Sequence, residues 1–432
     1  MKLGTCKQAG INNLLAYYLI LIVILLSWTS DTAFPPMPFR IAFLIALVVP
    51  IFRNTSNLII TPSIFILFTA LSLNSFAKSY MPGGEYYWVY IILILILYQQ
   101  KQIDGHIDSF HWLYFWLSAI SLITSVYYGE AILTMTYSSL MVFLLAEYSK
   151  SSISQSVELM SLAFALVSLI FSVLFFMFAD KYVITYNEDF NRSGWCDPNY
   201  FSMIIGMGIV SSVIELFNGI SDRRFRYFNC LNISLSSIAV VMLASRGAVL
   251  SVISAIIVMF LLADMKPKYK FMFLFWSGLL LFFIYSENYM NFLIYRIQED
   301  DGTGSGRTII WAKKLEAFYS GSILEQLFGY GREGGLKLGF SKLTGCHNDY
   351  VAILCEYGYI GFATFLSILL YPLMKSLKRC KDNAAVIATS IFMLTCCYTL
   401  EPISGGNITY FFFIFYILML YRNQKYGSGT IR

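Results

Sequence analysis

Apolar runs of bilayer-spanning length recur from one end of this 432-residue chain to the other, separated by short polar connections. The runs are continuous rather than alternating, so each is expected to close its backbone hydrogen bonds within its own helix, and a membrane β-barrel is excluded. About fourteen are legible, near 11–29, 38–52, 58–77, 86–99, 110–127, 131–148, 157–179, 199–217, 228–245, 247–263, 269–286, 349–374, 384–400 and 408–421. The fourth and fourteenth are short enough to be re-entrant, which gives an all-α polytopic membrane protein of about 12–14 transmembrane helices. The first run lacks a small-residue cleavage site and further spans follow at once, so it is read as a retained span. One stretch breaks the pattern. Between 287 and 346 the chain is polar for about sixty residues, far more than a turn between helices needs, and such an excursion is expected to serve chemistry or recognition.

Composition excludes a water-soluble globule. The chain is 58% hydrophobic and 13% charged, roughly half the charge such a surface needs. Charge placement then orients the spans. With the amino terminus inside, alternate connections hold 18 of the 30 Lys and Arg, and only five fall on the remaining outer connections once the long polar segment is set aside. Both termini are thereby expected in the cytoplasm, and the 287–346 segment, the 180–198 connection and the Ser245-Arg246 turn outside it. The expected organisation is 1–180 as amino-terminal helices, 181–286 as helices with outer arginines, 287–347 as one large outer loop, and 348–432 as carboxy-terminal helices. No nucleic-acid partner is expected.

Three polar patches therefore meet on one face, and each carries a candidate group. Arg246 stands between two spans joined by almost no loop; it either snorkels to water or grips an anion, and its planar guanidinium suits phosphate better than lysine does. Arg307 follows glycines at 302, 304 and 306 and opens what reads as a helix, so exposed backbone N–H groups there would add to an anion cradle. Arg192 lies ahead of Asp197-Pro198-Asn199, a helix start in which Asp197 is the cap; Arg192 either pairs with an acid or binds a ligand anion. His347 can lose and gain a proton near neutral pH, as a general base must. Asn348 is placed to cap or orient, Glu356 lies further along the same run, and Gly358 and Gly361 are spaced for close helix contact. The eight cysteines show no paired metal spacing, though a Cys196–Cys346 bridge is left open. Neither His106 with His111 nor the acids at 299–301 make a convincing ligand set, so no metal and no cofactor are expected.

The spacing from His347-Asn348 through nine residues to Gly358, then two residues to Gly361, resembles the histidine signature of O-antigen ligases. SRGA at 245–248, SGR with a following Trp at 305–311, and GYG at 329–331 are similar to the O-antigen polymerase/ligase superfamily in the same order. The resemblance covers about 190–365. It implies a GT-C-like, inverting, metal-independent glycosyltransferase of the bacterial inner membrane with one large periplasmic loop, taking its glycan from undecaprenyl diphosphate. On that footing Arg246 and Arg307 would bind the diphosphate, His347 would activate the acceptor hydroxyl, and the roles of Arg192 and Asp197 stay open. Membrane lipid, a chain-length regulator and a flippase would be partners. Within the superfamily a polymerase of repeat units is favoured over a ligase to lipid A-core, because outer arginines at 192, 246, 296, 307 and 332 suffice for two lipid diphosphates. A transporter or lipid-linked glycan flippase is the reading from another class; its expected midplane charges and repeats are not seen.

Overall fold

A computed structural model describes residues 153–178, 183–185, 191–193, 198–218, 223–299, 306–331, 346–402 and 408–427, with a few positions between 116 and 123. Apart from those few positions, the expected spans before residue 150 lie outside the described residues. The described helices are α1 (Ile153–Phe178), α2 (Pro198–Phe217), α3 (Arg223–Met242), α4 (Arg246–Leu262), α5 (Pro267–Ser286), α6 (Asn291–Gln298), α7 (Arg307–Ser320), α8 (Ile323–Phe328), α9 (Asp349–Ser376), α10 (Ala384–Thr399) and α11 (Ile408–Gly427). The protein is an all-α polytopic membrane protein: α1, α2, α3, α5 and α9 are long and apolar enough to cross a bilayer, and α4 and α10 are shorter apolar helices. Each expected run from 157 onward coincides with one helix. The 180–198 connection adds a small antiparallel hairpin, β1 (Val183–Thr185) with β2 (Asn191–Ser193), in which Ile184 faces Arg192 in register.

The helices pack as a bundle in which α2 lies against α1, α3 and α4, α4 against α10, and α11 between α10 and α1. Aromatic rings fill its centre, with Phe171 stacked on Phe201 at 4.8 Å and Phe164 edge-on to Phe413 at 5.1 Å. Polar groups buried between α1, α2 and α3 bond to one another, as they must where lipid offers no partner. Ser168 and Ser172 share the hydroxyl of Ser236 at 2.8 and 2.9 Å, and Asn232 donates to Ser212 at 2.9 Å. Gly208 lets α1 and α2 approach, since a Cβ there would lie 2.1 Å from that of Ser168. Chain reversal gives the bundle two unlike ends. One carries the basic starts and connections around 223–226, 266–270 and 375–381; the other gathers the starts of α2, α4 and α9 and the ends of α3, α5 and α10.

The described parts of the long polar segment fold onto this second end as α6, α7 and α8. Their attachment explains two glycine motifs. Helix α9 is broken at Gly358 (φ 65, ψ −170), a conformation only glycine adopts readily. The break leaves the carbonyls of Cys355 and Glu356 to accept from the N–H groups of Tyr330 and Gly331, both at 2.9 Å. A Cβ on Gly358 would stand 2.4 Å from Leu327 backbone, and one on Gly329 would stand 2.3 Å from Glu356 backbone. Gly358 allows a helix to approach, as its spacing predicted, since the backbone it meets is that of α8; it also lets the loop after α8 plug a broken helix, so the GYG run and the signature glycine are two halves of one joint. Gly358→Ala should cost on the order of 1–3 kcal/mol in backbone strain alone. Thermal unfolding of purified protein should show a clearly lowered midpoint, and an unchanged one would mean the joint is dispensable.

Candidate functional site

The carboxy-terminal end of α10 is where the candidate motifs come together. After Thr399 the chain leaves the helix, and its last carbonyls need donors from elsewhere. Arg307, the first residue of α7, supplies one: its Nη1 donates to the Thr399 carbonyl at 2.7 Å. Asp349, fully buried at the start of α9, supplies another through its backbone N–H to the Leu400 carbonyl at 3.0 Å. Gly247 at the start of α4 seats against the same threonine, where an added Cβ would lie 2.6 Å from Thr399 Cβ and Oγ1. Arg307 and Gly247, the residue after Arg246, therefore touch one turn, although 60 positions separate them in sequence.

Arg246 is fixed by a second reciprocal arrangement. Its Nη1 donates to the carbonyl of Arg296 at 3.0 Å, at the basic last turn of α6, while Arg296 donates back to the carbonyl of Ala244. Ala244 is left-handed (φ 50), and this clasp holds the tight turn between α3 and α4. Arg296 thus serves the scaffold of Arg246. A guanidinium has five N–H donors in a planar fork, so a carbonyl that takes one aims the group without consuming its anion-binding capacity.

His347 sits at the head of α9. Asn348 caps the helix, its side chain accepting from the N–H groups of Tyr350 at 2.9 Å and Val351 at 3.3 Å. His347 itself is left-handed (φ 51) and half-buried, between buried Cys346 and buried Asn348. A non-glycine residue in that region costs on the order of 1 kcal/mol and is kept there only by its surroundings. Those surroundings are visible. Trp311 donates its indole N–H to the Cys346 carbonyl at 2.7 Å and sets its ring edge-on to Tyr398 at 5.7 Å. On the other side the carboxylate of Glu401 accepts from the backbone N–H groups of Cys346 and His347.

Glu401 was not among the residues expected from sequence. Burial pushes its carboxyl above the usual range, while Lys314, the two amides and Arg307 pull it back. It thereby links the arginine of α7 to the main chain of His347. A signal was present: Glu401 is the single charged residue between Asp382 and Arg422, and a lone carboxylate at a span end is costly unless it has partners. Because Gln keeps one acceptor but brings a donor toward those amides, Glu401→Gln should lower turnover by roughly 10- to 100-fold through misplacement of the histidine. Donor KM should change little; a loss confined to KM would assign Glu401 to binding instead.

The remaining candidates fall elsewhere. Arg192 lies in β2, whereas Asp197 and Arg332 are outside the described residues. Glu356 stands at the break in α9, with its backbone carbonyl bound to Gly331. Cys346 is a free buried thiol raised by burial, which makes it a poor nucleophile; its supposed partner Cys196 is outside the described residues. Among the described residues no group of three His, Cys, Asp or Glu is placed to hold a metal ion.

No curated protein matches the chain in sequence. Residues 231–366 match the family described as O-antigen ligase. That stretch runs from within α3 past the break in α9, and it contains Arg246, Arg307, the GYG joint, His347 and Gly358. This stretch of the chain is similar to the O-antigen polymerase/ligase superfamily, in the order of motifs that the sequence carries.

Proposed function

We propose that the protein is a glycosyltransferase of the bacterial inner membrane that moves a glycan from undecaprenyl diphosphate to a sugar hydroxyl, and that it polymerises O-antigen or capsular repeat units. The observation that supports this reading is the arrangement around the end of α10, where Arg307 and Gly247, the neighbour of Arg246, reach Thr399 while Glu401 takes the main-chain N–H of His347. The diphosphate is gripped by Arg246 and Arg307, with Arg192 from the hairpin as a third contact. As the bond from the anomeric carbon to phosphate breaks, the leaving oxygen takes the electron pair, and each guanidinium stabilises the growing charge by a few kcal/mol. The acceptor hydroxyl attacks from the opposite face with inversion and gives its proton to His347. The Nδ1 of His347 is sealed from solvent, so Nε2 is the nitrogen that meets the acceptor. Asn348 and Glu401 fix the backbone on either side of it, and no step calls for a metal. The basic end of the bundle faces the cytoplasm in this reading, with both termini, and the site faces the periplasm.

Transfer to lipid A-core is the second reading, favoured by the description of the family that matches 231–366. The two are separated by supplying purified protein with lipid-diphosphate-linked repeat units and no lipid A-core. A ladder of lengthening products is expected. Silence until lipid A-core is added would make the protein a ligase, and silence in both cases would remove glycosyl transfer altogether.

A further inference from the structure

The outer segment was expected to be polar throughout, yet the elbow formed by α7 and α8 carries an apolar face. Ile323 is 76% exposed and Leu324 65%, and exposed Tyr319, Leu327 and Phe328 extend the patch. It continues onto α9 just past the break, where Tyr359 and Ile360 are also exposed and Phe318 meets the Tyr359 ring edge-on at 5.4 Å. These last residues begin the span itself, so the elbow's face and the lipid-facing side of α9 form one surface.

Helix lengths fix the level of that surface. Helix α10 has 16 residues, about 24 Å at 1.5 Å per residue. Helix α9 has 28, about 42 Å by the same rise. The two are tied at both ends, by Asp349 N–H to the Leu400 carbonyl and by Asn383 Nδ2 to the Ser376 carbonyl at 3.1 Å. They can share those levels only if the part of α9 ahead of Gly358 is canted away from the span. The 18 residues after the break amount to about 27 Å, close to the length of α10. The break, and the elbow plugged into it, thus lie near the level of the site, at the edge of the hydrocarbon.

The polar side chains of α8 and its cap are satisfied from within. Gln326 donates to the carbonyls of Tyr319 and Gly321 at 3.1 and 3.0 Å, and the Ser322 N–H and hydroxyl both reach Glu325 at 2.7 Å. Water would make such closure unnecessary, whereas a membrane demands it. Glu325 limits the depth, because its bonds to Ser322 hold its carboxyl below the usual range and keep it charged; a charge belongs among headgroups. We infer that the α7–α8 elbow is an interfacial anchor, with Ile323, Leu324, Leu327 and Phe328 inserted among the acyl chains of the leaflet on the site's side. The occupant of this face is bilayer lipid, and the elbow sets the height of Arg307 and His347 against the headgroups.

A diazirine amino acid placed at Leu324 in the full chain, reconstituted in phosphatidylglycerol–phosphatidylethanolamine vesicles, tests this. On irradiation the expected product at 324 is an acyl-chain adduct, with none from the same residue placed at exposed Lys313 on α7. Capture of water at 324, a cross-link to a second copy of the chain, or equal lipid adducts at both positions would overturn it.

Discussion

His347→Ala is expected to reduce glycan transfer by about 10²- to 10⁴-fold, the usual cost of losing a general base, while the protein stays folded and still binds its lipid-linked donor. Folding should survive because α9 is capped by Asn348 and tied through the Asp349 N–H to Leu400, neither of which uses the imidazole. Removing the side chain does not remove the backbone constraint either, since Ala must still adopt the left-handed conformation at this position. His347→Gly is therefore the informative companion. It relaxes that conformation, so it should match Ala in lost transfer and exceed it in thermal stability. Product of near-normal length from either variant would take His347 out of the chemistry and leave it as a bend in the chain.

Arg307→Ala is expected to cost about 10²- to 10³-fold in kcat/KM, the range found when one donor to a developing negative charge is deleted. Lysine in its place keeps the charge but not the fork. It should recover only part of the loss, since one ammonium cannot both reach the Thr399 carbonyl and present two parallel donors to phosphate. This separates the two tasks of the residue. A variant that binds donor normally but melts early would show that the bond to Thr399 is its whole role. Equal activity of Lys and Arg would mean that charge alone suffices.

The helical scaffold was legible because lipid leaves little freedom: a continuous apolar run must close its own hydrogen bonds, and each run from 157 onward is found as a helix. The start of α7 after its glycines, the start of α2 at Pro198 and the cap by Asn348 were equally plain, since turn and cap chemistry is local. What escaped was contact at a distance. The GYG run gave no local hint that Tyr330 and Gly331 would bond to carbonyls freed by Gly358, and a lone Glu401 at the end of an apolar run reads as a mere boundary. Arg296 likewise gave no hint in sequence of its bond to the Ala244 carbonyl, 52 positions away. Periodicity also says nothing about α7 and α8, whose apolar residues are too few to register as a span.

The central claim is that one end of the bundle holds a lipid diphosphate between Arg246 and Arg307, beside the histidine that does the chemistry. Equilibrium binding of undecaprenyl-diphosphate-linked repeat unit to detergent-solubilised protein tests it most directly, across wild type, Arg246→Ala, Arg307→Ala and His347→Ala. Weakened binding in both arginine variants, with affinity retained in the histidine variant, is the predicted result. Undiminished binding when either arginine is removed would contradict it.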